Sequence, residues 1–184
     1  MAQVAKKSGW LKPLAFGVML AVFGHLMTIG LIPSVIMNIA MTRIGEVSGG
    51  PNRLSHGMLV TPQNQQIVRS SPDLAYSTCA LDLSGGPVRI FIGKGADYTS
   101  AAFYAGNTDN VFTLNDRKIG QEGARIMVVS ARSPIAAQPG EVVVSLPSDK
   151  GLLLVRRLAP SAEAFKRVQA ERAKDFCRVV TDGI

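Results

Sequence analysis

The 184-residue chain carries a formal net charge of +7, yet Lys6, Lys7 and Lys12 supply three of its 20 basic residues ahead of a long apolar run, and the remainder exceed the 13 acidic residues only modestly. With aromatic residues at 6% and no recognition motif, that charge does not describe a nucleic-acid-binding protein. Two histidines and two widely spaced cysteines exclude a multi-histidine metal centre and fit no metal or thioredoxin pattern.

Residues 1–13 form a basic flank. Behind it, Leu14 to Met41 runs 28 positions without a charge, its only plainly polar members being His25, Thr28, Ser34 and Asn38. A bilayer core of about 30 Å takes roughly 20 helical residues at about 1.5 Å each. Leu14 to Ile32 supplies 19 before Pro33, which predicts one spanning helix. A cleavable signal peptide shares the basic start, but its apolar region is roughly 7–15 residues long and ends in a small-x-small site. Here the run is longer, and Ser34, Ala40 and Gly45 make poor cleavage positions. The N-terminal lysines outnumber Arg43 and Arg53 beyond the run. The positive-inside rule then places the N-terminus in the cytoplasm and the rest outside a bacterial inner membrane, in the periplasm of a Gram-negative cell.

Gly17, Ala21, Gly24 and Thr28 fall on one narrow stripe of this helix. In lipid, small residues let a second helix approach closely, so the stripe predicts packing against a partner helix. His25 lies beside it near mid-membrane. An ionisable group at that depth is costly. Three readings stand: a neutral ring bonded to a neighbouring carbonyl or hydroxyl, a contact to the partner helix, and ligation of a metal or tetrapyrrole. No cofactor is otherwise indicated. Pro33 kinks the helix or begins an interfacial extension that reaches Met41. Residues 42–51, with Gly45, Ser48, Gly49, Gly50 and Pro51, read as a linker.

Residues 52–184 carry period-two alternation broken by turn chemistry. Predicted strands are Gln66–Arg69, Ala75–Leu83, Val88–Ile92, Thr99–Tyr104, Val111–Leu114, Ala124–Ser130, Glu141–Ser145 and Leu152–Arg157. Short strands at this spacing indicate a mainly β domain, a sandwich or jelly roll. Pro160 and the N-cap Ser161 then open an amphipathic helix, with Ala162, Phe165, Val168, Ala173 and Phe176 near helical spacing. Cys79 lies in a strand and Cys177 at the end of this helix. In an oxidising compartment the two are a candidate disulfide, against the alternative of two separate thiols. The surrounding basic residues also suit anionic headgroups at a membrane surface.

No Gly-x-Ser-x-Gly elbow, Walker loop or His-Glu-x-x-His is present. The aspartates sit beside turn residues, where their side chains bond local backbone. Tyr76, Asn110 and Arg117 flank predicted strand ends, where sites tend to be assembled, and are the candidate pocket residues.

The stretch Ser71-Pro72-Asp73-Leu74-Ala75-Tyr76, followed by Leu81-Asp82-Leu83-Ser84 and Gly86-Pro87-Val88, resembles the bacterial family known as domain of unknown function 1254. Tyr98, Asn107 to Phe112, and Leu114-Asn115-Asp116-Arg117 are similar to its next block, and His25 with Pro33 resembles the helix of its short membrane-anchored branch. The resemblance implies a jelly-roll-like domain. Larger relatives join it to a second β-rich domain, for which this chain has no room, so the resemblance implies a separate companion polypeptide. It assigns no reaction, and Pro72-Asp73 replaces an Asn-Asp pair of the larger relatives. The resulting expectation is a non-enzymatic accessory or assembly subunit of an inner-membrane complex, surrounded by membrane lipid. The alternative is an envelope enzyme or small-ligand-binding sandwich.

Overall fold

Between Trp10 and Gly49 almost every residue is helix-compatible and apolar, and the chain forms one 38-residue helix, α1, Leu11–Ser48. The computed structural model describes residues 9–61, 70–132 and 138–180. Helix α1 is about 57 Å long at 1.5 Å per residue, more than a bilayer core requires. Among the described helices it alone is long and apolar enough to cross a membrane, and residues 11–32 are exposed throughout.

The helix runs through Pro33, and the linker expected over residues 42–51 is a correction: Gly45 and Ser48 lie inside the helix. Ser48 is held there by its hydroxyl, which donates to the Ile44 carbonyl at 2.9 Å. Termination falls to Gly49, whose φ of 75° is left-handed. Its N–H donates to the Glu46 carbonyl while that of Gly50 donates to Gly45, the paired bonds of a Schellman ending. Asn52 next takes a positive φ of 58°, which an Asn tolerates. Its side-chain amide donates to the Asp82 carbonyl at 2.7 Å and accepts from the Asp82 N–H at 2.9 Å, so the chain enters the sheet on a side chain imitating a strand.

Nine strands follow among the described residues: β1 Ser55–His56, β2 Leu74–Asp82, β3 Val88–Ile92, β4 Thr99–Ala105, β5 Asn110–Asn115, β6 Ala124–Ser130, β7 Val142–Leu146, β8 Lys150–Leu158 and β9 Phe176–Val179. They form two sheets, ordered β1-β2-β8-β4-β5 and β7-β6-β3-β9. Alternation decides which residues face inward. Cys79, Leu81, Phe103, Leu153 and Val155 of the first sheet meet Val88, Ile90, Ile126, Val128 and Leu146 of the second in one core. The expected mainly β, sandwich-like arrangement is therefore present. All neighbouring strands run antiparallel except β6 and β7, which are parallel. The expected strand Gln66–Arg69 lies outside the described residues.

The outer face of the first sheet carries the end of α1. Met37, Met41 and Ile44 pack on Ala80, Tyr104 and Leu152, three cross-strand neighbours on the side away from the core. Flexible methionine side chains suit this join between a helix and a pleated surface.

The C-terminal region departs from its sequence reading. Helix α2, Ala162–Arg172, opens as expected at Ser161, whose hydroxyl accepts from the Ala164 N–H at 3.2 Å. It stops before Phe176, which begins β9 and stacks on Phe91 with ring centroids 5.9 Å apart. Cys177 is thus a strand residue, in register with Ile90, and not the end of a helix. It is disulfide-bonded to Cys79, with alpha carbons 6.7 Å apart, linking β2 of one sheet to β9 of the other across 98 residues. A cross-link spanning so long a loop restricts the unfolded chain strongly. Replacing both cysteines with alanine is expected to lower the unfolding free energy by about 2–5 kcal/mol, read by urea titration of the full-length protein in detergent.

Candidate functional site

The three residues expected to line a pocket do not meet. Tyr76 lies in the cross-strand row that continues through Arg156 and Ser100 to Asn115. Asn110 begins β5 in a different row, with Tyr104, Leu152 and Ala80. Those rows are about 13 Å apart along the strands, and β2 and β5 are separated by two intervening strands, about 14 Å across the sheet. Tyr76 spends its hydroxyl accepting from the Ser71 N–H at 2.8 Å, and the Asn110 side-chain Oδ1 accepts from the Thr113 hydroxyl at 3.1 Å. Arg117 is exposed in the turn after β5. Tyr76 and Asn110 thus spend their polar groups on contacts close by in sequence.

On α1, Gly17, Ala21, Gly24, His25 and Thr28 are all exposed. A methyl group built on Gly17 or Gly24 would meet nothing within 4 Å, so that surface is open for its whole length. The Thr28 hydroxyl donates to the Gly24 carbonyl at 2.7 Å, which folds the polar group onto the helix and leaves the stripe smooth.

The densest polar constellation was not anticipated from the sequence. It lies where α2 closes one end of the sandwich. Arg157 of β8, 2% exposed, donates from Nη1 to Asp175 Oδ2 at 2.6 Å and from Nη2 to Oδ1 at 3.2 Å. Nη2 also donates to the Gly93 carbonyl at 2.9 Å, while the Gly93 N–H donates back to Asp175 Oδ1 at 2.8 Å. Three segments are closed into one ring: β8 of the first sheet, the end of β3 in the second, and the turn between α2 and β9. Alternation carried a signal for it, because Arg157 is in phase with the inward-facing Leu153 and Val155.

Beside this ring Arg172 ends α2 equally buried. It donates to the carbonyls of Gly57 at 2.8 Å and Tyr76 at 3.2 Å, with its guanidinium over the Phe165 ring. Burial, followed by repulsion from Arg157, pushes its pKa below the ordinary arginine range, with Asp175 opposing. His56 stands at the rim, with Nδ1 2.8 Å from the Ser77 hydroxyl. Its pKa is lowered by burial first, then by Arg172, with Arg157 adding and Asp175 opposing. A Ser–His contact invites comparison with a nucleophile and its base. Ser77, however, is 3% exposed on the inward row, and neither residue lines the surface grooves of about 400 and 450 Å³ beside α1 and on the second sheet. The constellation joins the elements chemically: its bonds run between Arg157, Asp175 and Gly93, and the buried Arg157 Nε has no partner among the described residues. No cluster of three or more metal-ligating side chains occurs among the described residues.

An open apolar helix joined to a disulfide-linked β-sandwich defines the class of protein. The family model described as "Protein of unknown function (DUF1254)" matches residues 51–178, and the chain belongs to that family. The VPA0106 protein from Vibrio parahaemolyticus shares the fold with a TM-score of 0.62 at 14% identity, the alignment covering 85% of this chain and 38% of that one. An uncharacterised protein from Burkholderia cenocepacia aligns with a TM-score of 0.45 at 20% identity, over 71% of this chain and 37% of that one. The chain thus spans less than two-fifths of the length of either. No protein of curated description matches.

Two outcomes follow from the constellation. Asp175→Asn leaves Arg157 buried without its counter-ion and is expected to cost about 3–5 kcal/mol of stability, whereas the double replacement Arg157→Met with Asp175→Leu costs less, both read by chemical denaturation. The lowered pKa of His56 means that below the unfolded value of 6.5 the unfolded chain binds a proton that the folded one does not. Stability should therefore be full above that pH and decline as pH falls through it toward the folded value. Thermal midpoints of wild type and His56→Gln should agree near neutral pH and diverge on mild acidification, with the variant the flatter.

Proposed function

We propose that this protein is a non-enzymatic accessory or assembly subunit of a bacterial inner-membrane complex. Its helix spans the bilayer, with the basic flank in the cytoplasm and the β domain on the periplasmic face. The observation that carries the reading is the open stripe from Gly17 to Thr28 on a helix whose last turns are packed into the domain. A mere tether needs no smooth face, and a helix joined to its domain transmits the orientation set by whatever packs on that face. The disulfide supports an oxidising compartment for the domain. The filled interior and the separation of Tyr76, Asn110 and Arg117 favour a contact surface over a small-ligand pocket. The companion is a membrane protein, and a separate β-domain polypeptide is consistent with the greater length of the structural relative.

Full-length protein purified from its native membranes in mild detergent is expected to bring a stoichiometric membrane companion, identified by mass spectrometry. Replacing Gly17 and Gly24 with leucine should reduce its recovery several-fold. Elution of the wild type alone would overturn the subunit reading, and undiminished recovery with the leucine variant would overturn the role of the stripe.

A further inference from the structure

The outer face of the second sheet is unlike any other surface of the domain. The alternation that sends Val88, Ile90, Ile126 and Cys177 into the core turns Arg89 and Phe91 of β3, Arg125 of β6, and Phe176 and Arg178 of β9 outward. With Lys174 they line a groove of about 450 Å³. Its floor is the stacked Phe91–Phe176 pair, and the Arg178 guanidinium lies 4.4 Å over the Phe176 ring, which holds that cation in place.

The charge around this floor is unbalanced. Glu141 is the carboxylate that lines the groove, and it is engaged: Oε1 accepts from Arg89 Nε at 2.8 Å and Oε2 from the Gln138 N–H at 3.2 Å. Arg125, Lys174 and Arg178 are exposed, and among the described residues none of them has an acidic partner. Positioned guanidinium groups match carboxylates in two-point contact. The anchor does not use this face, because α1 packs on the outer surface of the other sheet.

We propose that the groove receives an extended acidic segment of a partner protein, its carboxylates on Arg125, Lys174 and Arg178 and an apolar side chain on the Phe91–Phe176 floor. A concave cleft with an aromatic floor suits a chain of alternating acidic and apolar side chains, whereas a bilayer surface is met by basic groups that protrude. The inference rests on the accessory-subunit reading for the partner being a protein, and names the surface and the chemistry that meet it.

The test uses full-length protein in phosphatidylcholine nanodiscs and a fluorescent peptide alternating glutamate and leucine, with lysine replacing glutamate in the control. Anisotropy should show binding of the glutamate peptide alone, weakening with added salt. Arg125→Glu with Arg178→Glu should weaken it by about tenfold or more and shift preference to the lysine peptide. Arg125→Gln with Arg178→Gln should be intermediate, and decides the matter if the reversed pair does not fold. Equal binding of both peptides, or binding indifferent to these substitutions, would overturn the proposal. So would loss of the glutamate peptide in nanodiscs containing phosphatidylglycerol, which would assign the groove to lipid headgroups. A companion recovered equally with wild type and the reversed variant, with no peptide bound, removes the groove and leaves the subunit reading intact. Peptide binding by a protein that elutes without a companion does the reverse.

Discussion

The bidentate pairing of Arg157 with Asp175 is the contact on which the arrangement of the C-terminal third depends. Asp175 sits three residues after the end of α2, and its carboxylate is claimed at once by Arg157 from one sheet and by the Gly93 N–H from the other. An arginine this deeply buried is costly without a counter-ion, so the carboxylate must arrive at this place. Once it does, the chain cannot continue as a helix: Phe176 and Cys177 are carried alongside β3, the fourth strand of the second sheet forms, and the cysteine meets its partner in β2. Helix end, edge strand and disulfide share this one cause. It also accounts for the cations around His56, since Arg157 and Arg172 both end here and both disfavour its protonation.

At the other end of the molecule the passage from helix to sheet is equally particular. A flexible linker would decouple whatever happens in the bilayer from the domain. Instead the helix persists to Ser48, reverses on Gly49 and Gly50, and hands over to Asn52, whose side chain binds the backbone of Asp82. Met37, Met41 and Ile44 meanwhile rest on the first sheet. The join between α1 and the sheet is therefore made of packing and hydrogen bonds.

The same alternation that builds the core distributes charge in two opposite ways. On β8 it turns Arg157 inward, where the Asp175 carboxylate and the Gly93 carbonyl accept from its two terminal nitrogens. On β3, β6 and β9 it turns arginines outward over an aromatic floor with too few carboxylates to match. The first arrangement pairs its charges within the chain, and the second leaves Arg125, Lys174 and Arg178 without an acidic partner among the described residues. Membership of the family defines neither, and the fold shared with VPA0106 extends over only part of that longer protein.

Periodicity determined a good deal by itself. The charge-free run from Leu14 specified an apolar helix, because helical geometry in lipid asks only for length and apolar side chains. Period-two alternation specified the strands from β2 to β8, and Ser161 specified where α2 begins. The short motifs around Tyr76, Leu81 and Asn107 pointed to the family that the match over residues 51–178 shows. The linker read over residues 42–51 and the helical reading of Phe176 were both wrong for one reason: local propensity is weak, and contacts distant in sequence override it. Only the tertiary structure decided that Cys79 and Cys177 pair, that Tyr76 and Asn110 lie in separate rows, and that Arg157 finds Asp175. Each depends on which strands become neighbours in a sheet, and that is set by the packing of the whole core, not by any pattern within a single segment.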